Sequence, residues 1–179
     1  MHEVLEGHEG HGGHEESPLT IPVSVTLSIL AVLVAISTLL GHRAGKEELL
    51  LQTQETDQWA YYQSRNDGLR FMEERLFLLD TFAAADREKA SQAREKATQG
   101  VERYTKEKAE AKDKAEELKK ERTVVERRGD RYEGSEVLLE IALILTSFTL
   151  LTKKKFFWFS GALLGLVGIA VALSGFLLH

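Results

Sequence analysis

Apolar and charged positions in this chain are segregated into blocks rather than interleaved. Residues 17–41 run for 25 positions without a charge and are rich in Leu, Ile, Val and Ala. About 20 such residues, rising about 1.5 Å each, cross the hydrocarbon of a bilayer as a helix, so a first span is expected over 18–41. Pro18 and Pro22 fall at its start, where a missing N–H costs least. Residues 156–178 add 23 uncharged positions and predict another span. Between them, 137–152 is shorter, with Glu140 close to its entrance. The uncharged core at 141–152 is too short to cross alone, and the segment spans if Glu140 snorkels or meets a partner. Thr152-Lys153-Lys154-Lys155 then closes a helical hairpin, with Phe156, Phe157, Trp158 and Phe159 as an interfacial aromatic belt.

From Lys46 to Gly134 there is no proline, and strong helix formers dominate. Tyr62, Leu69, Leu76 and Ala83 recur every seven residues, with Met72 and Leu79 between them. Tyr104, Ala111, Leu118, Val125 and Tyr132 do the same later, with Val101 and Ala115 at the companion positions. This period pairs two helices along one seam. Lys108, Arg122 and Gly129 interrupt it, so weak or loosely specified pairing is expected. Both ends must return to one membrane face, which puts the turn in 85–100; Ala83–Ala85, Asp86 and Gly100 are the candidate boundaries. Asn66-Asp67-Gly68 is a rival turn that would leave unequal arms. Each arm of ~40 residues would rise ~60 Å. The expected fold class is all-α: three transmembrane helices and a long extramembrane helical hairpin, a coiled-coil-like stalk. The expected divisions are a head at 1–17, spans at 18–41, 137–152 and 156–178, and a stalk at 42–136.

Small residues recur with 4-3-4-3 spacing in two spans: Ser24, Ser28, Ala31, Ala35 and Thr38 in the first, Gly161, Gly165, Gly168, Ala172 and Gly175 in the last. Such stripes let helix backbones approach closely, which in lipid replaces the missing hydrophobic drive. In the stalk, Gln58-Trp59-Ala60-Tyr61-Tyr62-Gln63 places three aromatics within four residues. They point around most of a helix, so one seam cannot bury them all. A third helix, with 85–100 as the candidate, or a partner subunit is expected to cover them. Trp59, Tyr61, Tyr62 and Gln63 join Ser24, Ser28, Ala31, Ala35, Gly161, Gly165, Gly168 and Ala172 as expected interface residues.

Charge sharpens this division. The chain has 179 residues, no cysteine and a formal net charge of −5. Residues 1–41 hold five glutamates and no Lys or Arg, 42–136 hold 20 basic and 22 acidic side chains, and 137–179 hold Glu140 and three lysines. A disulfide scaffold, a thiolate metal site and a thiol nucleophile are excluded. Nucleic acid is disfavoured for want of a net basic face. The tail before the first span lacks the basic flank of a cleaved signal, so a retained anchor is expected. Short basic loops stay cytoplasmic, so Lys153–Lys155 leans to the cytoplasm and the stalk to the periplasm of a bacterial inner membrane. Arg43 and Lys46, with Arg127, Arg128 and Arg131, argue the opposite, but long loops translocate largely regardless of charge.

Gly41-His42-Arg43-Ala44, Leu49-Leu50-Leu51-Gln52 and above all Asp57-Gln58-Trp59-Ala60-Tyr61-Tyr62-Gln63 give the chain a resemblance to a known group. So do the stretch 104–110, the His/Glu-rich head and the basic-loop terminal hairpin. Together they resemble a bacterial membrane-protein family catalogued only as a domain of unknown function. The resemblance covers nearly the whole chain and implies architecture alone: one span, a helical extramembrane segment and a terminal hairpin. It implies an uninterrupted helix where Ser64-Arg65-Asn66-Asp67-Gly68 stands here, and it supplies no reaction or substrate.

Little chemistry is legible. His2, His8, His11 and His14, among five glutamates, form the one ligand cluster, suited to weak binding of Zn, Ni or Cu; a polar disordered tail is the plainer expectation. Glu140 is an ionisable group within a span, a site for proton or ion movement by default, although a carboxylate in a first helical turn has a simpler account. No nucleophile elbow, P-loop, dinucleotide fingerprint or H-E-x-x-H stands in the chain. The leading expectation is a non-enzymatic membrane scaffold or accessory subunit, without a cofactor, whose partners are lipid and other membrane subunits or its own copies. A metal-binding protein using the head, and a component of a proton- or ion-coupled transporter, are the alternatives.

Overall fold

The computed structural model describes residues 19–82 and 87–178. Among these there is no strand, and three helices account for the fold: α1 (Thr20–Phe82), α2 (Arg87–Thr152) and α3 (Lys155–Phe176). With 63 and 66 residues, α1 and α2 are each about 95–100 Å long. Each runs unbroken from the apolar block into the charged block, because no proline interrupts either helix past its opening turns. The predicted spans at 18–41 and 137–152 are therefore not separate helices but the ends of two long ones.

α1 and α2 pair antiparallel. As α1 advances through Ser37, Glu55, Arg65 and Asp80, its partners on α2 retreat through Ser135, Arg122, Glu107 and Arg94. α1 ends at Phe82 and α2 begins at Arg87; the candidate boundaries Ala83–Ala85 and Asp86 lie outside the described residues. Gly100 is helix interior; a Cβ there would stand 3.0 Å from the Met72 side chain. The rival turn does not form either. α1 continues through Asn66-Asp67-Gly68, where a Cβ on Gly68 would lie 2.7 Å from the Tyr104 ring. The glycine admits an aromatic ring rather than reversing the chain.

The inward line of α1 keeps a strict period of seven. Val23, Leu30, Ser37 and Ala44 are buried, and Leu51, Gln58, Arg65, Met72 and Leu79 continue the line half-buried. α2 answers with buried Ala97, Ala111, Leu118, Val125, Tyr132, Leu139 and Thr146. The three residues expected to weaken this seam each have a specific neighbour instead. Lys108 Nζ sits 5.6 Å from the Tyr62 ring centre, Arg122 Nε donates to Glu55 at 2.9 Å, and Gly129 faces Ala44. The hydrogen bond to Glu55 raises the Arg122 guanidinium pKa above its ordinary value.

α3 packs on α2 and meets α1 only sparingly. Gly161, Gly165, Gly168 and Gly175 are buried. A Cβ on Gly161 would collide with Thr146 Oγ1 and stand 2.8 Å from the Ala142 carbonyl oxygen. Leu30, Leu139 and Ala142 form the core where the three helices meet, ringed by Leu33, Val34, Leu143, Leu164 and Ile169. Lys153 turns the chain between α2 and α3 with φ 56, its N–H donating to Thr149 O at 2.8 Å. Just beyond, Trp158 Nε1 donates to Thr26 Oγ1 at 3.1 Å and pins the start of α3 to α1.

Candidate functional site

A belt of polar side chains joins all three helices at one level of the apolar half. Ser135, on α2, donates to Gly168 O on α3 at 2.9 Å. Its proton is thereby committed, so Ser37 of α1 is the donor in the 3.3 Å contact between the two buried hydroxyls. One residue further on each helix, Thr38 Oγ1 stands 2.6 Å from Glu136 Oε1. Thr38 Oγ1 is also 3.0 Å from Val34 O, and its single proton goes to the carboxylate, which forms the shorter and stronger bond. Sequence reasoning missed this belt. Its signal was the antiparallel register of α1 on α2, which no single-helix pattern reveals.

The same register corrects the placement of Glu140. Residue 140 is not in a first helical turn, since α2 begins at Arg87, so the helix-terminus explanation for the carboxylate falls. Leu139 is level with Gly168, and Ala142 with Gly165. Glu140 therefore stands level with the centre of α3's uncharged stretch rather than at an entrance. It is exposed on the surface of α2, one turn from Glu136.

The two small-residue stripes part company. In α3, Gly161 and Gly168 are buried against α2, Gly165 is buried between Leu30 of α1 and Ala142 of α2, and Ala172 is half-buried. In α1, Ser24, Ser28, Ala31 and Ala35 are all exposed and Thr38 is half-buried. α1 instead turns Val23, Leu30 and Ser37 inward, so the stripes do not pack on each other.

The aromatic cluster is split in a similar way. Trp59 and Tyr62 meet edge to face, ring centres 5.5 Å apart, and both are half-buried toward α2. Trp59 overhangs an open groove of about 700 Å³ lined by Glu116, Lys119, Lys120, Thr123, Val124 and Arg127. Tyr61 and Gln63 point outward, with the Arg65 guanidinium 4.5 Å from the Tyr61 ring centre. Among the described residues, no third helix covers the cluster. The part of 85–100 that is described packs at the far end of the hairpin, where Arg94 meets Asp80 and Gly100 meets Met72.

His2, His8, His11 and His14 lie outside the described residues. Among the described residues, no three His, Asp or Glu side chains gather as a metal site would require.

Among the described residues, three helices are long and apolar enough by composition to cross a membrane, and two of them continue into a charged antiparallel hairpin; this is the composition of a membrane protein. Within that class, residues 19–178 match the domain of unknown function DUF4337, and the chain belongs to that family. No curated protein and no solved structure matches it.

Proposed function

We propose that this protein is a non-enzymatic integral membrane scaffold or accessory subunit that packs with a larger membrane assembly, such as a bioenergetic or transport complex. One observation carries the reading. On the charged half of α1, Leu49, Leu50, Phe71 and Phe77 stand between 60 and 68% exposed. Apolar side chains in that density on a water-facing helix are typical of a covered surface. The proposed setting is a bacterial inner membrane crossed three times, with Lys153–Lys155 in the cytoplasm and the stalk in the periplasm. Extraction in native membrane discs, followed by identification of everything that accompanies the chain, tests the reading. A stoichiometric partner or a defined oligomer supports it, and a monodisperse monomer at native abundance contradicts it.

Glu140 favours a second reading, in which the protein is a component of a proton- or ion-coupled transporter. A carboxyl group level with the middle of an apolar helix is a costly placement that function commonly explains. Flux measured across membranes carrying Glu140→Gln tests it; unchanged flux rejects it.

A further inference from the structure

Relative to its inward line, α1 carries a second line of the same period, one residue further around the helix. It begins at Ser24 and Ser28 and reaches Gln63 and Asn66. Every position on it is exposed except Thr38, Trp59 and Asn66, which are half-buried. No Asp, Glu, Lys or Arg occurs on it from Ser24 to Asn66, although α1 holds eight such residues from Arg43 to Asp67. The charges of this stretch fall on the other faces, as Glu47, Glu48, Glu55 and Asp57 do. Over the charged part of α1, from Gly45 to Asn66, a solvated helix face has no reason to exclude charge, whereas an interface does.

We infer that this line is the contact surface for α1 of a second copy of the chain, the two α1 helices lying parallel. The inference rests on the scaffold reading and names its partner. Three features select a second copy. With His42 as its one ionisable side chain, the line meets its own copy without repulsion between Asp, Glu, Lys or Arg side chains. Ala31, Ala35 and Gly45 allow close approach along the axis, and a Cβ at Gly45 would meet nothing within 4 Å in one chain. Gln52, Gln63 and Asn66 each carry both donor and acceptor, so each pairs with its own copy across a two-fold axis. The span from Ser24 to Asn66 is ~63 Å of helix, and a strip ~10 Å wide covers ~600 Å² per copy. Two copies bury about 1,200 Å², the lower edge of the range for stable interfaces. Glu136 already touches this line through Thr38, so Glu140, one turn away, borders the contact and is screened by it.

The natural absence of cysteine makes the test direct. Leu49→Cys and Thr56→Cys place a thiol on the line, and Glu47→Cys and Gln54→Cys place one on the opposite side of the same helix. Mild oxidation in native membranes is followed by non-reducing electrophoresis. Disulfide-linked dimers are expected at positions 49 and 56, at least about tenfold above positions 47 and 54, because the bond needs Cα atoms within about 7 Å. The reduced variants should retain the native mass of the unmodified assembly, which shows that they fold. Equal linkage at all four positions, or none at 49 and 56, overturns the inference. If linkage is absent while another protein co-purifies in fixed ratio, the self-pairing falls and the scaffold reading stands. If linkage is absent and the chain is a monomer, both fall.

Discussion

Replacing Gly161 by Ala probes the closest approach between α2 and α3. The added carbon would stand 2.8 Å from the Ala142 carbonyl oxygen and 3.1 Å from the Thr146 backbone nitrogen. Ordinary contact is about 3.5 Å, so α3 must retreat by about 0.7 Å along a face that backbone atoms hold rigid. Thr146 Oγ1 also loses its position, where it donates to Ala142 O at 2.8 Å. Overpacking of this kind costs about 1–3 kcal/mol, while Gly to Ala within a helix recovers up to about 1 kcal/mol. Gly134→Ala supplies the reference, since nothing lies within 4 Å of that Cβ and it keeps the propensity gain alone. The difference between the two variants is therefore the packing cost, about 1–3 kcal/mol. The assay is detergent-induced unfolding followed by Trp158 fluorescence in a Trp59→Phe background, which leaves one of the chain's two tryptophans. Trp158 reports α3 docking through its bond to Thr26. Equal stability of Gly161→Ala and Gly134→Ala would refute the close approach.

Three other outcomes follow from the same geometry. Gly68→Ala should destabilise the stalk by about 1 kcal/mol or more by displacing the Tyr104 ring, and Tyr104→Ala should cancel that cost in a double-mutant cycle measured by denaturant unfolding. Lys153→Gly should stabilise the α2–α3 turn by about 1 kcal/mol, because φ 56 strains any side chain; a lower unfolding midpoint would reject this. Glu140→Leu, in a chain whose Glu140 faced only lipid, would favour the membrane by about 3 kcal/mol. With the carboxyl group covered by a partner, the same change should instead weaken the assembly, as read from the oligomer fraction in membrane discs.

The apolar blocks, the long charged helices and their antiparallel pairing were legible because each follows from the residue pattern along one helix. The 23 uncharged residues at 156–178 and the sevenfold spacing of Ala111, Leu118, Val125 and Tyr132 are examples. What escaped is what depends on two helices at once. Lys108 and Arg122 read as flaws in the seam until Tyr62 and Glu55 stand opposite them. Asn66-Asp67-Gly68 stood as a rival turn because Asn66 and Asp67 are turn formers, whereas Gly68 admits the Tyr104 ring. Glu140 read as lying near an entrance because the length of the apolar run was counted on α2 alone; α3 extends further, and Gly165 and Gly168 set the true level. The stripe in α1 was visible as spacing, but only the fold shows that α2 and α3 leave Ser24, Ser28, Ala31 and Ala35 bare.

The bare face of α1 makes assembly the central claim, and the native mass of the chain tests it most directly. Released from its own membrane in polymer-bounded discs at native abundance, the protein should have a mass of two or more chains, or of one chain with a partner in fixed ratio. A single chain with nothing bound would contradict the claim.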